Sequence, residues 1–202
     1  MKRTCFNKTQ TIIKIIREFH PALIINYFRM KTARLSIILF FLTGLFIQVY
    51  SQTEASTAKA TFIYNFTRFI EWPKKANSSN FIIQVYGSDD VYNELTQFTN
   101  NKFVGSQQIK VIKVNKIDDI KNCDLLFVGF DKSNKLKDII ALLNNSNTLI
   151  ISEKNGALQE GSGINFVLND DKLSYEIKPV NLTKAGLKLS SSIIKYAKGN
   201  NS

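Results

Sequence analysis

Two hydrophobic rhythms divide the chain. From residue 54, Phe62, Phe66 and Phe69 recur at i, i+4, i+7 and predict a helix over 54–72, closed before Pro73. Trp72, Ile63 and Ile70 join its apolar face, which reads as core. Tyr64, Arg68 and Glu71 fall on the opposite side, with Thr61 and Asn65 beside them. Phe62, Tyr64 and Phe66 also alternate as in a strand, but fifteen residues without a break favour the helix.

Beyond the KKANSSN loop the rhythm shortens. FIIQVYG (81–87), IKVIKV (109–114), DLLFVGF (124–130) and TLIIS (148–152) read as strands. The last two are apolar throughout, as strands buried on both faces are. Between them lie a helix capped by Ser88 or Asp89 with Val91, Leu95 and Phe98 on one face, a single turn at KIDDIKN, and a helix capped by Asp131 or Ser133 through Leu136, Ile139, Ile140 and Leu143. Strands alternating with helices at this spacing predict a parallel sheet with helices on its faces. Residues 163–168 and 172–178 then alternate around Asn169-Asp170-Asp171 as a β-hairpin, stopped by Pro179. A last helix capped by Asn181 presents Leu182, Gly186, Leu189, Ile193 and Tyr196 or Ala197 as its stripe. The expected fold is a single three-layer α/β domain: a mainly parallel sheet, flanking helices, a C-terminal hairpin and a closing helix.

The N-terminal quarter changes how the charge is read. Lys31 and Arg34 precede an apolar run from Leu35 to Val49, and Val49-Tyr50-Ser51 offers a cleavage site. Residues 30–51 therefore read as a secretory signal peptide. The run is short for a bilayer span, which needs roughly twenty residues; an uncleaved anchor is the competing reading. Met30 is a natural start, so 1–29 reads as a non-native upstream extension or an unusually long n-region. Of 27 basic and 16 acidic residues, 1–51 hold eight and one, which lowers the net charge from +11 to +4 over 52–202. The apparent nucleic-acid signature is mostly targeting sequence.

Trimming also removes chemistry. His20, the single histidine, and Cys5 both precede residue 52, leaving Cys123 without an internal disulfide partner. Cys123 opens a buried strand and reads as a small hydrophobe. A nucleophilic triad lacks its imidazole, and the usual zinc ligand sets are missing. Gly161-Ser162-Gly163 precedes a strand, so it reads as a turn; Gly87-Ser88-Asp89-Asp90 carries acids that would repel a phosphate. The adjacent pairs Asp89/Asp90, Asp118/Asp119 and Asp170/Asp171 sit in turns or caps and do not face each other across a substrate. No cofactor or metal is implied, and the chain reads as non-enzymatic. Lys184, Lys188, Lys195 and Lys198 line one side of the last helix as a solvated face, with an anionic contact as the alternative. Tyr64, Arg68 and Glu71 are the candidate partner surface, set against a plain Arg68–Glu71 helix pair.

The residues also resemble a known family. A secretion signal, the helix ending Phe69-Ile70-Glu71-Trp72-Pro73, Ile164-Asn165-Phe166, Tyr175-Glu176-Ile177 and Ala185 to Ser191 are similar to the YfiR-like family of bacterial periplasmic regulators. The likeness spans nearly all of 55–198. It marks Phe62, Phe66, Phe69, Trp72, Pro73, Asn165, Phe166, Glu176, Gly186, Leu187 and Ser190 as structural signature. It implies a homodimer in the periplasm of a Gram-negative bacterium, with no nucleic acid and no stable membrane insertion once the signal is cleaved. The implied partner is the periplasmic part of an inner-membrane diguanylate cyclase or sensor kinase, which it represses, lowering cyclic di-GMP and biofilm formation. The disulfides of relatives do not carry over. The alternatives are a small-molecule-binding module with its pocket at the C-terminal strand ends, and a histidine-free hydrolase using carboxylates.

Overall fold

The computed structural model describes residues 54–73, 80–169 and 172–195. The expected signal and upstream extension, the hairpin turn at 170–171, and Tyr196 to Lys198 lie outside the described residues.

Helix α1 (54–69) is present, but its buried line is not the aromatic one. Ala60, Ile63, Phe66 and Ile70 are buried, Phe62 is half-buried, and Phe69 is 41% exposed. The helix also stops three residues short of the expected end. Ile70–Glu71 form strand β1, antiparallel to β9 (Lys188–Leu189), and the Ser190 amide donates to the Phe69 carbonyl at 2.9 Å. The residue before a proline avoids helical torsions, so the chain is already leaving the helix as Pro73 approaches, and cross-chain pairing takes it over.

Strand β2 (Asn80–Tyr86) leads through α2 (Asp89–Phe98) to β4 (Gln107–Val114). Ser88 caps α2, its Oγ accepting the Val91 amide at 3.3 Å. KFVGSQQ contains a short strand the pattern does not announce, β3 (Phe103–Val104), antiparallel to β4. A 3-10 turn (Ile117–Asp119) precedes β5 (Leu125–Val128), and a second 3-10 segment (Phe130–Lys135) feeds α3 (Leu136–Leu142). Neither Asp131 nor Ser133 caps α3, because the 3-10 segment places Lys135 at that position. After β6 (Leu149–Ser152) come α4 (Ala157–Glu160) and the hairpin β7 (Ile164–Asn169) and β8 (Lys172–Ile177).

The seven strands are ordered β3-β4-β2-β5-β6-β7-β8. β4, β2, β5, β6 and β7 are parallel, with β3 and β8 antiparallel at the edges. Side chains alternate between two cores, as strand geometry requires. Ile83, Val85, Leu125, Phe127, Leu149 and Ile151 pack with α1 and α2 residues, whereas Tyr86, Leu126, Val128 and Ile150 pack with α3. The domain is therefore three layers, helix, sheet, helix.

The expected long final helix is instead three pieces: α5 (Pro179–Lys184), β9 and α6 (Ser191–Lys195). Gly186, at φ +74, ends α5 rather than contributing to a stripe. The Gly186 amide donates to Thr183 O and the Leu187 amide to Leu182 O, both at 2.9 Å, the bond pair of a glycine-terminated helix. Pro179 opens α5 at N1 rather than merely ending the hairpin. Asn181 lies inside α5, its Nδ2 donating to Leu158 O and Ser162 O. The expected lysine row is broken accordingly: Lys184 closes α5 and Lys188 sits on β9.

Candidate functional site

The chain order β2, β4, β5 makes the sheet grow first to one side of β2 and then to the other. The crevice for ligands in open α/β sheets forms at such a reversal, beyond the carboxyl ends of the strands. Here the loops after β2 and β5 narrow it. The Gly129 amide donates to Tyr86 O at 2.8 Å, and a Cβ on Gly129 would stand 2.3 Å from the Gly87 carbonyl oxygen. Lys132 lies over Gly87, where a Cβ would meet its Cγ at 2.5 Å. What remains is an open cleft of about 650 Å³, lined by Ser88, Asp89, Asp90, Lys113, Phe130 and Asp131 among others. Lys113 Nζ is 2.7 Å from Asp89 Oδ2.

A second cleft, of about 800 Å³, opens farther along the same sheet end. It is walled by the first turns of α1 (Ala55, Lys59), the β6–α4 loop (residues 153–156) and the β7–β8 hairpin. Glu153 borders both clefts. Its Oε1 accepts the Phe130 amide at 2.9 Å and its Oε2 pairs with Lys59 Nζ, so one carboxylate ties α1 to the loop after β5. Both partners are largely buried, which shields the pair from solvent. Nothing in the sequence links residues 59, 130 and 153; the pairing of β5 with β6 and the packing of α1 on the sheet bring them together.

The candidate partner residues lie elsewhere. Tyr64 is half-buried, its ring edge-on to Phe98 at 5.4 Å, and Lys102 Nζ stands 4.4 Å from the Tyr64 centroid and 3.5 Å from that of Phe98. Arg68, one helical turn on, is exposed. Glu71 is also exposed but belongs to β1, so the alternative Arg68–Glu71 helix pair is not formed. Phe98 leaves 37% of its surface open in this cluster, and Phe103, next to Lys102 in sequence, is 55% exposed. Sequence reasoning missed Lys102, since the signal is a cross-element cluster with no periodicity.

The signature residues divide by role. Phe62, Phe66 and Phe166 form one aromatic cluster with Tyr175, and Leu187 is buried beneath α5. Trp72 packs edge-on against Phe81 at 4.9 Å and donates its indole N–H to Asp124 O at 2.8 Å. Ser190 precedes α6, with its Oγ near the Ser192 amide at 3.4 Å. Pro73 is exposed, and Phe69 keeps 41% of its surface open, the latter contrary to its expected core role. Asn165 and Glu176 are directly opposite on β7 and β8 and both line the second cleft. Cys123 is buried. Among the described residues, no group of three His, Cys, Asp or Glu side chains could hold a metal ion, and no helix is long and apolar enough to cross a membrane.

No curated protein matches the chain. Among solved structures, an ABC domain in complex with L-Trp from Streptococcus pneumonia is similar at 11% identity with a TM-score of 0.44. The alignment covers 58% of this chain and 54% of that one, about half its length, and a likeness of that size bears on no functional question. A family match is far broader: the YfiR/HmsC-like family, DUF4154, matches residues 56–198, the span that holds Trp72-Pro73, the aromatic core and the Asn165/Glu176 pair. The chain belongs to the YfiR/HmsC-like family.

Proposed function

We propose that this chain is a non-enzymatic regulator that binds the periplasmic part of an inner-membrane signalling protein, a diguanylate cyclase or a sensor kinase, and represses it. Membership of the YfiR/HmsC-like family supports periplasmic regulation of cyclic di-GMP signalling as the setting. The observation that carries the binding role is the surface cluster of Tyr64, Phe98 and Lys102, with exposed Arg68 one helical turn from Tyr64. Aromatic and arginine side chains are the usual anchors of protein interfaces. Here three elements, α1, α2 and the segment leading into β3, hold them on a rigid frame. Repression follows if the cluster binds the partner's off state better than its on state, which shifts the equilibrium by that difference in affinity. The protein acts as a homodimer after a secretory signal is removed.

Deleting the gene in its own host tests this. Cyclic di-GMP or kinase output rises, and the wild-type chain restores it. A folded Y64A/R68E/E71K variant neither restores it nor captures the membrane partner in a cross-linked pull-down. Unchanged output on deletion, or full complementation by the triple variant, overturns the reading.

A further inference from the structure

We infer that the cavity between α3, α4 and α5 is a binding site for a small organic anion bearing an apolar group. This goes beyond the regulatory reading and does not rest on it. The cavity lies near the amino end of β6, away from the two clefts beyond the carboxyl strand ends. It measures about 360 Å³, within the range of small-ligand sites.

Side chains fasten its walls to one another. Asn181 Nδ2 donates to Leu158 O at 2.9 Å and to Ser162 O at 2.7 Å, which ties α5 to α4 and the turn after it. Asn147 Nδ2 donates to Ala185 O at 2.9 Å, which ties the end of α5 to the loop between α3 and β6. Glycines permit the close packing of these elements. A Cβ on Gly163 would stand 2.9 Å from Leu182 Cδ1, and one on Gly161 3.1 Å from Ile140 Cγ2. A site held this way is organised before a ligand arrives, which lowers the ordering cost of binding.

The accessible charge has one sign. Among the described lining residues, Lys178 and Lys184 are the cations and Glu160 is the one acid. Glu160 is already neutralised: its Oε1 is 2.6 Å from Lys154 Nζ, and its Oε2 is shut off from solvent. Neither Lys178 nor Lys184 has an ion-pair or side-chain hydrogen-bond partner among the described residues. Their backbone placement brings them to the same space. Tyr175 packs in the α1 core, so strand alternation turns Lys178, three residues on, to the opposite face, that of α3. On α5, Val180, Asn181 and Lys184 fall at i, i+1 and i+4, on one side of the helix. Lys178 and Lys184 are about 9 Å apart along the α5 axis, at 1.5 Å per residue, so two lysine side chains can converge on one anion. Half-buried Ile140 and Val180, which is 50% exposed, offer apolar surface in the same cavity. The complementary ligand places its anionic oxygens between Lys178 and Lys184 and its apolar part on Ile140 and Val180. A cation meets two lysines and no accessible carboxylate.

Three probes of equal chain length test the site: hexanoate, 1-hexanol and hexylamine, each titrated into the purified protein by methyl NMR. Hexanoate saturates, shifts the Ile140 and Val180 methyls, and binds about tenfold tighter than hexanol, the effect of one charge-assisted contact. Hexylamine does not saturate. K178Q/K184Q, with an unchanged denaturation midpoint, lowers hexanoate affinity to that of hexanol. K184Q alone, at an exposed helix end, weakens hexanoate without touching half-buried Lys178. K188Q, an exposed lysine outside the cavity, leaves the affinity unchanged. V180A weakens hexanoate and hexanol alike, which separates the apolar wall from the charge. The inference is overturned if hexanoate fails to saturate, if hexanoate and hexylamine bind equally, if K184Q leaves hexanoate affinity intact, if K188Q costs as much as K184Q, or if the shifts map elsewhere. None of those results touches the partner-capture test above.

Discussion

Truncating Phe66 and Phe69 separately distinguishes the packing found here from the aromatic stripe that the sequence suggests. Phe66 is 2% exposed and its ring contacts Phe62, Phe166 and Tyr175, the last edge-on at 5.0 Å. Removing it deletes those ring contacts and leaves a cavity between α1 and the β7–β8 hairpin, so F66A costs about 3–5 kcal/mol. Phe69 keeps 41% of its surface in water, and its structural bond to Ser190 uses the backbone carbonyl, which alanine retains. Fully burying a phenylalanine is worth roughly 1.5–3 kcal/mol; a little over half of that, with no enclosed cavity, gives about 1 kcal/mol for F69A. Trp72, the single tryptophan, is a built-in fluorescence probe for urea unfolding, with far-UV circular dichroism as the second readout. The expected midpoints differ by roughly 2–4 kcal/mol of stability, or near 10 °C in melting temperature for a domain of this size. Equal losses from the two variants would refute the packing argument.

Three further outcomes follow from single contacts. W72F keeps the edge-on packing on Phe81 but loses the indole bond to Asp124 O, and lowers stability by about 1 kcal/mol in a dichroism-monitored urea titration. G186A places a side chain at φ +74 with its Cβ 2.6 Å from Asn147 Nδ2, displacing the amide that donates to Ala185 O; it costs about 1–3 kcal/mol, where an uninterrupted helix at this position would have been stabilised. In a double-mutant cycle, K59M and E153Q couple by about 0.5–3 kcal/mol, since the largely buried pair bridges α1 and the β5 loop; additive losses would mean that the contact contributes nothing.

Much of the architecture is legible in the sequence. Wholly apolar segments such as 125–128 and 149–152 could satisfy their side chains only by burial on both faces, and both are fully buried central strands. The failures cluster where local preference was overridden. The apolar spacing at residues 70–71 and 188–189 continues a helical period, yet the two segments pair with each other as strands far apart in sequence. Position alone places Gly186 in a helical stripe, but its positive φ, available at low cost to glycine, ends the helix there.

The site shows the same division. Asn165 and Glu176 were recognisable as signature residues, and the hairpin that pairs them follows from period-two alternation, a local property. The ion pairs of Lys59 with Glu153 and of Lys154 with Glu160 join α1 and α4 to the loop after β6, which no local pattern announces. The ridge of Tyr64, Phe98 and Lys102 likewise needs α1, α2 and the approach to β3 to converge. By itself, then, the sequence determined the secondary-structure rhythm, the three-layer class, the hairpin and the family, because each rests on short-range periodicity or short motifs. The tertiary structure decided which aromatics are buried, where the terminal helices break and which charges pair, because those depend on side chains and backbone groups brought together across dozens of residues.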